Sequence, residues 1–130
     1  MAERPLSPHL SVYRFAYTMA LSILHRITGL ALAVCLIGFV VWLVGIGLGA
    51  AAYAALLPAL HSWPIQILIA LALIALIYHF CNGLRHLAWD MGWGYERRVA
   101  RSSARVVIIA TLLISAACLY LLFRRGLGAA

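Results

Sequence analysis

Three long apolar runs without alternation set the pattern of this chain. Apolar side chains follow one another through residues 27–49, 63–84 and 106–123. No charged side chain interrupts these runs, and the only ionisable group is His79 in the second. Membrane-spanning β-strands alternate polar and apolar positions, and these runs do not. A helix needs ~20 apolar residues, within a range of about 17–25, to cross the hydrocarbon of a bilayer, and each run meets that length. The pattern predicts an all-α integral membrane protein. It would have three transmembrane helices and a short N-terminal interfacial segment, all within one membrane-anchor domain over residues 1–130. Pro58 and Pro64 bracket the connection 50–62, where a helix must stop and restart. Gly45 and Gly49 form a GxxxG at the end of the first run. With Gly47 between them, they read as a helix fraying into a loop rather than as a packing face.

The placement of charge adds an orientation. Arg4, Arg14 and Arg26 precede the first run, and Arg85, Arg97, Arg98, Arg101 and Arg105 separate the second from the third. The connection 50–62 has none, and Arg124 and Arg125 follow the third run. Eight of the ten arginines therefore fall on one side of a three-span chain. The positive-inside rule places that side in the cytoplasm, so the N-terminus is expected inside and the C-terminus in the periplasm.

Composition supports lipid as the solvent. Of the 130 residues, 66% are hydrophobic and 10% charged, and the mean hydropathy is +1.04. A soluble domain runs at about 25% charged residues. The net charge of +7 does not point to nucleic acid, because the arginines flank apolar runs and form no basic stripe interleaved with aromatics. Cys35, Cys81 and Cys118 lie within apolar runs without a CxxC and read as small packing residues. Residues 1–26 carry Glu3, Arg4, Pro5, Pro8 and Arg14 ahead of any long apolar stretch. That is unlike a signal or transit peptide, and it reads as an uncleaved cytoplasmic start in a bacterial inner membrane.

The chemistry centres on His79. It lies six residues inside Arg85, ~9 Å deep at 1.5 Å per residue. An ionisable residue at that depth marks a functional site by default; the alternative is a histidine bonded to a neighbouring helix. Gly83 and His86 follow at i+4 and i+7 on the same face. A glycine one turn from a histidine leaves room for a flat macrocycle, and histidine is a standard axial ligand of haem iron. His86 cannot ligate the same iron, because it lies ~10 Å along the helix. His25 is also a poor second ligand, since it sits at the start of the first span, nearer the level of His86 than of His79. A haem held by two histidines would take its second ligand from another polypeptide.

Ser22, His25 and Arg26 form a second cluster at i, i+3 and i+4 on one helix surface. A hydroxyl, an imidazole and a guanidinium at the membrane edge suit a polar headgroup with a lipid-embedded tail. Equally, they suit an interfacial anchor, with Arg26 snorkelling and Ser22 capping the helix. Asp90 follows His86 by four residues. It would orient a histidine behind the site, as His86 would, or pair with an arginine, or stand as a solvated loop acid. Trp89, Trp93 and Tyr95 read as an interfacial aromatic belt. His9 and His61 lie outside the spans and receive no role.

Three stretches in order resemble the cytochrome b membrane-anchor subunit of succinate dehydrogenase (respiratory complex II). They are Arg4-Pro5-Leu6-Ser7-Pro8-His9-Leu10 with Tyr13-Arg14; Ser22-Ile23-Leu24-His25-Arg26-Ile27-Thr28-Gly29; and His79-Phe80-Cys81-Asn82-Gly83-Leu84-Arg85-His86-Leu87-Ala88-Trp89-Asp90. The opening is similar to the version shared by mitochondria and their closer bacterial relatives. The resemblance implies that His79 ligates the iron of haem b, that His25 lies near the haem propionates, and that Ser22 and Arg26 help form a ubiquinone pocket. It also implies a flavoprotein subunit, an iron–sulfur subunit and a second small anchor subunit that supplies the other haem histidine. Succinate itself would be oxidised elsewhere, and electrons would reach ubiquinone through the partner's clusters. The rival readings are an anchor of fumarate reductase, a haem-free structural anchor, and a transporter subunit. The last would need polar residues along a continuous path, whereas here they cluster towards one side.

Overall fold

The computed structural model describes residues 16–122 and residue 124. Among them four helices follow in order: α1 (Tyr17–Gly47), α2 (Ala50–Leu60), α3 (Trp63–Asp90) and α4 (Arg97–Leu122). No strand occurs among the described residues. The interfacial segment expected before the first span, with the Arg4–Leu10 motif, lies outside them.

The three long helices overrun the apolar runs, mostly at the arginine-rich end. α1 starts ten residues before position 27, because Tyr17 to Arg26 holds no proline or glycine and is mostly helix-forming. It ends where Gly49 turns the backbone to φ 98°, a conformation that suits glycine. α3 begins after Ser62 with Pro64 in its first turn, where the missing N–H is harmless. It continues past Leu84 to Asp90, and Gly92 and Gly94, both at φ 83°, then reverse the chain.

The connection expected at 50–62 is instead mostly the eleven-residue helix α2. Its run of alanine and leucine favours helix. Pro58 lies inside the helix rather than ending it, two residues before the last turn closes. Gly45 is buried against the side chain of Leu56 on α2, so it serves helix packing, and the chain leaves helix only after Gly47.

α3 is the central element, packed on α1 and on α4. The buried core, Leu21, Tyr78, Ala104 and Val107, lies at the arginine-rich end of the bundle. Ala104 is wholly buried, as small side chains are where membrane helices approach closely. Polar ties join the helices at the same end. The Tyr78 hydroxyl donates to the Leu21 carbonyl at 2.6 Å, and the Tyr17 hydroxyl donates to the Arg101 carbonyl at 2.8 Å. Elsewhere, large apolar side chains such as Leu30, Val34, Ile37 and Leu112 are exposed, as expected for helices solvated by lipid or covered by other subunits. α1, α3 and α4 each have the length and hydropathy to cross a membrane.

Candidate functional site

His79 projects from α3 towards α1, and α1 holds it by its Nδ1 atom. Nδ1 lies 3.1 Å from the His25 carbonyl oxygen and 3.3 Å from Thr28 Oγ1. A carbonyl oxygen only accepts, so Nδ1 carries the ring proton and donates it. The Thr28 hydroxyl spends its own proton on the Leu24 and His25 carbonyls, at 2.9 and 3.0 Å, which leaves its oxygen free to accept from Nδ1 as well. With its proton on Nδ1, a neutral imidazole presents a lone pair at Nε2. No described residue bonds Nε2. A backbone carbonyl on the far nitrogen is the usual arrangement behind a metal-bound histidine.

Gly29 makes this contact possible. A Cβ built on Gly29 would stand 2.9 Å from His79 Cε1, closer than real side chains pack. Sequence reasoning gave Thr28 and Gly29 no role. The run 27–49 also holds Ala31, Ala33 and Gly38, so a threonine and a glycine one turn after His25 do not stand out in it.

The histidines form a row. The His25 ring stacks on His79 with centroids 3.9 Å apart and planes 10° from parallel. On its other flank His86 is 5.0 Å away, and His86 meets Trp89 edge-on at 5.2 Å. By ring distance His25 therefore stands nearer His79 than His86. Because α1 begins at Tyr17, His25 sits well inside the helix and packs across α3 between the two. The stacked rings turn π faces, not nitrogens, towards each other, so they do not share one iron.

Gly83 lies beside the same row. The group nearest a Cβ there would be His25 Cε1 at 3.6 Å. The glycine thus faces the His25 ring, and the space it leaves is bordered by that ring. His25 Nδ1 and His86 Nε2 are both buried without a hydrogen-bond partner. An unanswered buried polar atom costs about 1–3 kcal/mol, so both atoms suit polar groups brought by something bound against the row. The pendant carboxylates of a haem have that chemistry, and His79 Nε2 has the chemistry of its axial ligand.

Ser22 and Arg26 lie one turn apart on α1, with Ser22 half-buried and Arg26 exposed. Ala16 is the residue that precedes the helix, and it makes no side-chain cap. Ser22 is in the second turn and caps nothing, which removes that alternative. Asp90 ends α3, exposed. It stands ~16 Å along the helix from His79, so the orienting partner of His79 is the backbone of α1 and not this acid. Around Asp90 the aromatic residues are tied to the loop. Trp89 Nε1 donates to the Gly94 carbonyl at 3.3 Å, and the Tyr95 hydroxyl donates to the Trp89 carbonyl at 2.8 Å.

Residues 1–118 match the family described as succinate dehydrogenase/fumarate reductase transmembrane subunit. The chain is similar to the succinate dehydrogenase cytochrome b556 subunit of Paracoccus denitrificans, 37% identical over 121 residues and 93% of each chain. It is 34% identical over 113 residues to the subunit of that name in Rickettsia felis, covering 87% of this chain and 88% of the relative. The mitochondrial cytochrome b560 subunit of Sus scrofa is 37% identical over 127 residues, covering 88% of this chain and 69% of the relative.

Proposed function

The chain belongs to the succinate dehydrogenase/fumarate reductase transmembrane-subunit family, and we propose that it is the haem b-binding, quinone-site-forming anchor of a succinate dehydrogenase. The observation that carries this reading is how α1 holds His79. Its Nδ1 proton is committed to the His25 carbonyl and Thr28, and its Nε2 is free to ligate. In this assignment His79 would hold haem b iron through Nε2, together with a histidine from a second small anchor subunit. His25 Nδ1 and His86 Nε2, both buried without a partner, would hold the haem carboxylates. When bound, haem b would supply a one-electron redox centre.

A flavoprotein subunit oxidises succinate, and its electrons pass through the iron–sulfur clusters of a second partner to ubiquinone at the arginine-rich membrane edge. Each ubiquinone takes two electrons and two protons to become ubiquinol. Ser22 donates a hydrogen bond to a quinone oxygen, and the Arg26 guanidinium favours the negative charge that develops there. The protein supplies position and electrostatics, while the cofactors carry the redox chemistry. The complex lies in a bacterial inner membrane, with the N-terminus of this subunit cytoplasmic.

Absorption spectroscopy of the purified complex tests the assignment. A reduced haem b spectrum at one haem per anchor, together with succinate-driven ubiquinone reduction, is expected. A complex that reduces ubiquinone with no haem band would make this chain a haem-free structural anchor.

A further inference from the structure

The face of α3 turned away from His79 borders a groove of about 550 Å3 against α4. Cys81, Arg85 and Ala88 on its α3 side lie roughly 200°, 240° and 180° around the helix from His79, at about 100° per residue. The groove is therefore distinct from the histidine row. Leu84, Ala88, Val106 and Ala110 give it an apolar lining, and Trp93 and Gly94 of the α3–α4 loop stand at one end.

One charged group stands in this wall. Arg85 is only 5% exposed. Its Nε donates to Ser103 Oγ at 3.0 Å, its Nη2 donates to the Ala100 carbonyl at 3.1 Å, and its guanidinium lies 4.0 Å over the Trp89 ring. Nη1 is buried without an acceptor. Among the described residues Arg85 bonds only neutral groups, so no carboxylate answers its charge. Arg97, Arg98, Arg101 and Arg105 on the first turns of α4 add positive charge at the same end of the bundle. Burying a cation without an anion is costly, and in a medium of low dielectric the attraction for an anion is correspondingly strong.

We propose that this groove binds one anionic phospholipid, with its phosphate at the arginine-rich end opposite Arg85 and an acyl chain along the apolar lining between α3 and α4. Charge complementarity selects the headgroup, and the apolar length selects the tail. A free phosphate leaves the lining uncovered, and a neutral hydrocarbon leaves Arg85 unanswered. The test uses the complete complex, stripped in detergent and then offered phosphatidylglycerol or diacylglycerol, with bound lipid counted by native mass spectrometry. Wild type and Leu112→Trp, which changes the opposite side of α4, should retain one phosphatidylglycerol and at least tenfold less diacylglycerol. Ala110→Trp, which fills the groove without touching the charge, should lower phosphatidylglycerol retention at least tenfold, and so should Arg85→Gln. Because Arg85 also ties α3 to α4, Ala110→Trp decides the matter if Arg85→Gln fails to assemble. Equal retention in Ala110→Trp and wild type overturns the proposal. Equal retention of the two lipids also overturns it, as that would mean simple apolar filling. No lipid retained by wild type overturns it too, since the anion would then come from another subunit.

Discussion

His79 owes its orientation to the backbone of a neighbouring helix, and this makes the residues around it as informative as the histidine itself. Thr28→Val removes the second acceptor of Nδ1 and keeps the His25 carbonyl. A single hydrogen bond is worth about 0.5–1.5 kcal/mol, so haem should remain bound but dissociate roughly two- to tenfold more readily on titration with a competing haem acceptor. Gly29→Ala places a Cβ 2.9 Å from His79 Cε1. Overpacking of this kind costs about 1–3 kcal/mol, and the assembled complex should carry less than its full haem, measured by absorbance per protein. These two roles were hidden in the sequence because they depend on where α1 and α3 cross, which no local pattern encodes. His79 itself stood out in the sequence, as an ionisable group deep in an apolar run.

The quinone assignment is tested at single residues as well. Under the proposed assignment, Ser22→Ala and Arg26→Leu would each remove one contact to the headgroup. A hydrogen bond involving a charged group contributes about 1.5–3 kcal/mol, and a loss of that size in the rate-limiting step slows turnover about ten- to hundredfold. Succinate–quinone reductase activity per assembled complex should fall, while succinate oxidation with an artificial acceptor at the flavoprotein should persist. Were Arg26 only an interfacial anchor, Arg26→Lys would be nearly silent and Arg26→Leu would lower yield without lowering activity per complex.

Among the elements, the three spans were legible because lipid imposes a length and forbids charge, and both constraints act along the chain. Where each helix ends was less legible. Tyr17 to Arg26 and Arg85 to Asp90 continue helices beyond the apolar runs, since arginine is tolerated in a helix that emerges from hydrocarbon. α2 was hidden by Pro58, which reads as a helix stop, yet falls close enough to the end of an alanine-rich helix to be accommodated. The packing of α1 on α3 rests in part on the Tyr78 hydroxyl, which donates to the Leu21 carbonyl at 2.6 Å. Tyr78→Phe should cost about 0.5–1.5 kcal/mol, seen as a small drop in the thermal stability of the purified complex with its haem spectrum unchanged.

Taken as a whole, the molecule concentrates its polar ties and its arginines at one end and leaves much of its apolar surface uncovered. A bundle of this kind is completed by lipid and by other subunits rather than by its own core. The arginine split predicts its orientation. Reporter fusions at Ala50 and at Ala130 should both report the periplasmic side, and a cytoplasmic signal from either would require a different number of crossings.

The reduced-minus-oxidised spectrum of the complex carrying His79→Ala bears most directly on the whole reading. The anchor subunits should still assemble with their partners, and the bis-histidine haem b spectrum of the wild type should be lost or replaced by that of a haem with a single protein ligand. An assembled His79→Ala complex with an unchanged bis-histidine spectrum would mean that the iron is held by another residue.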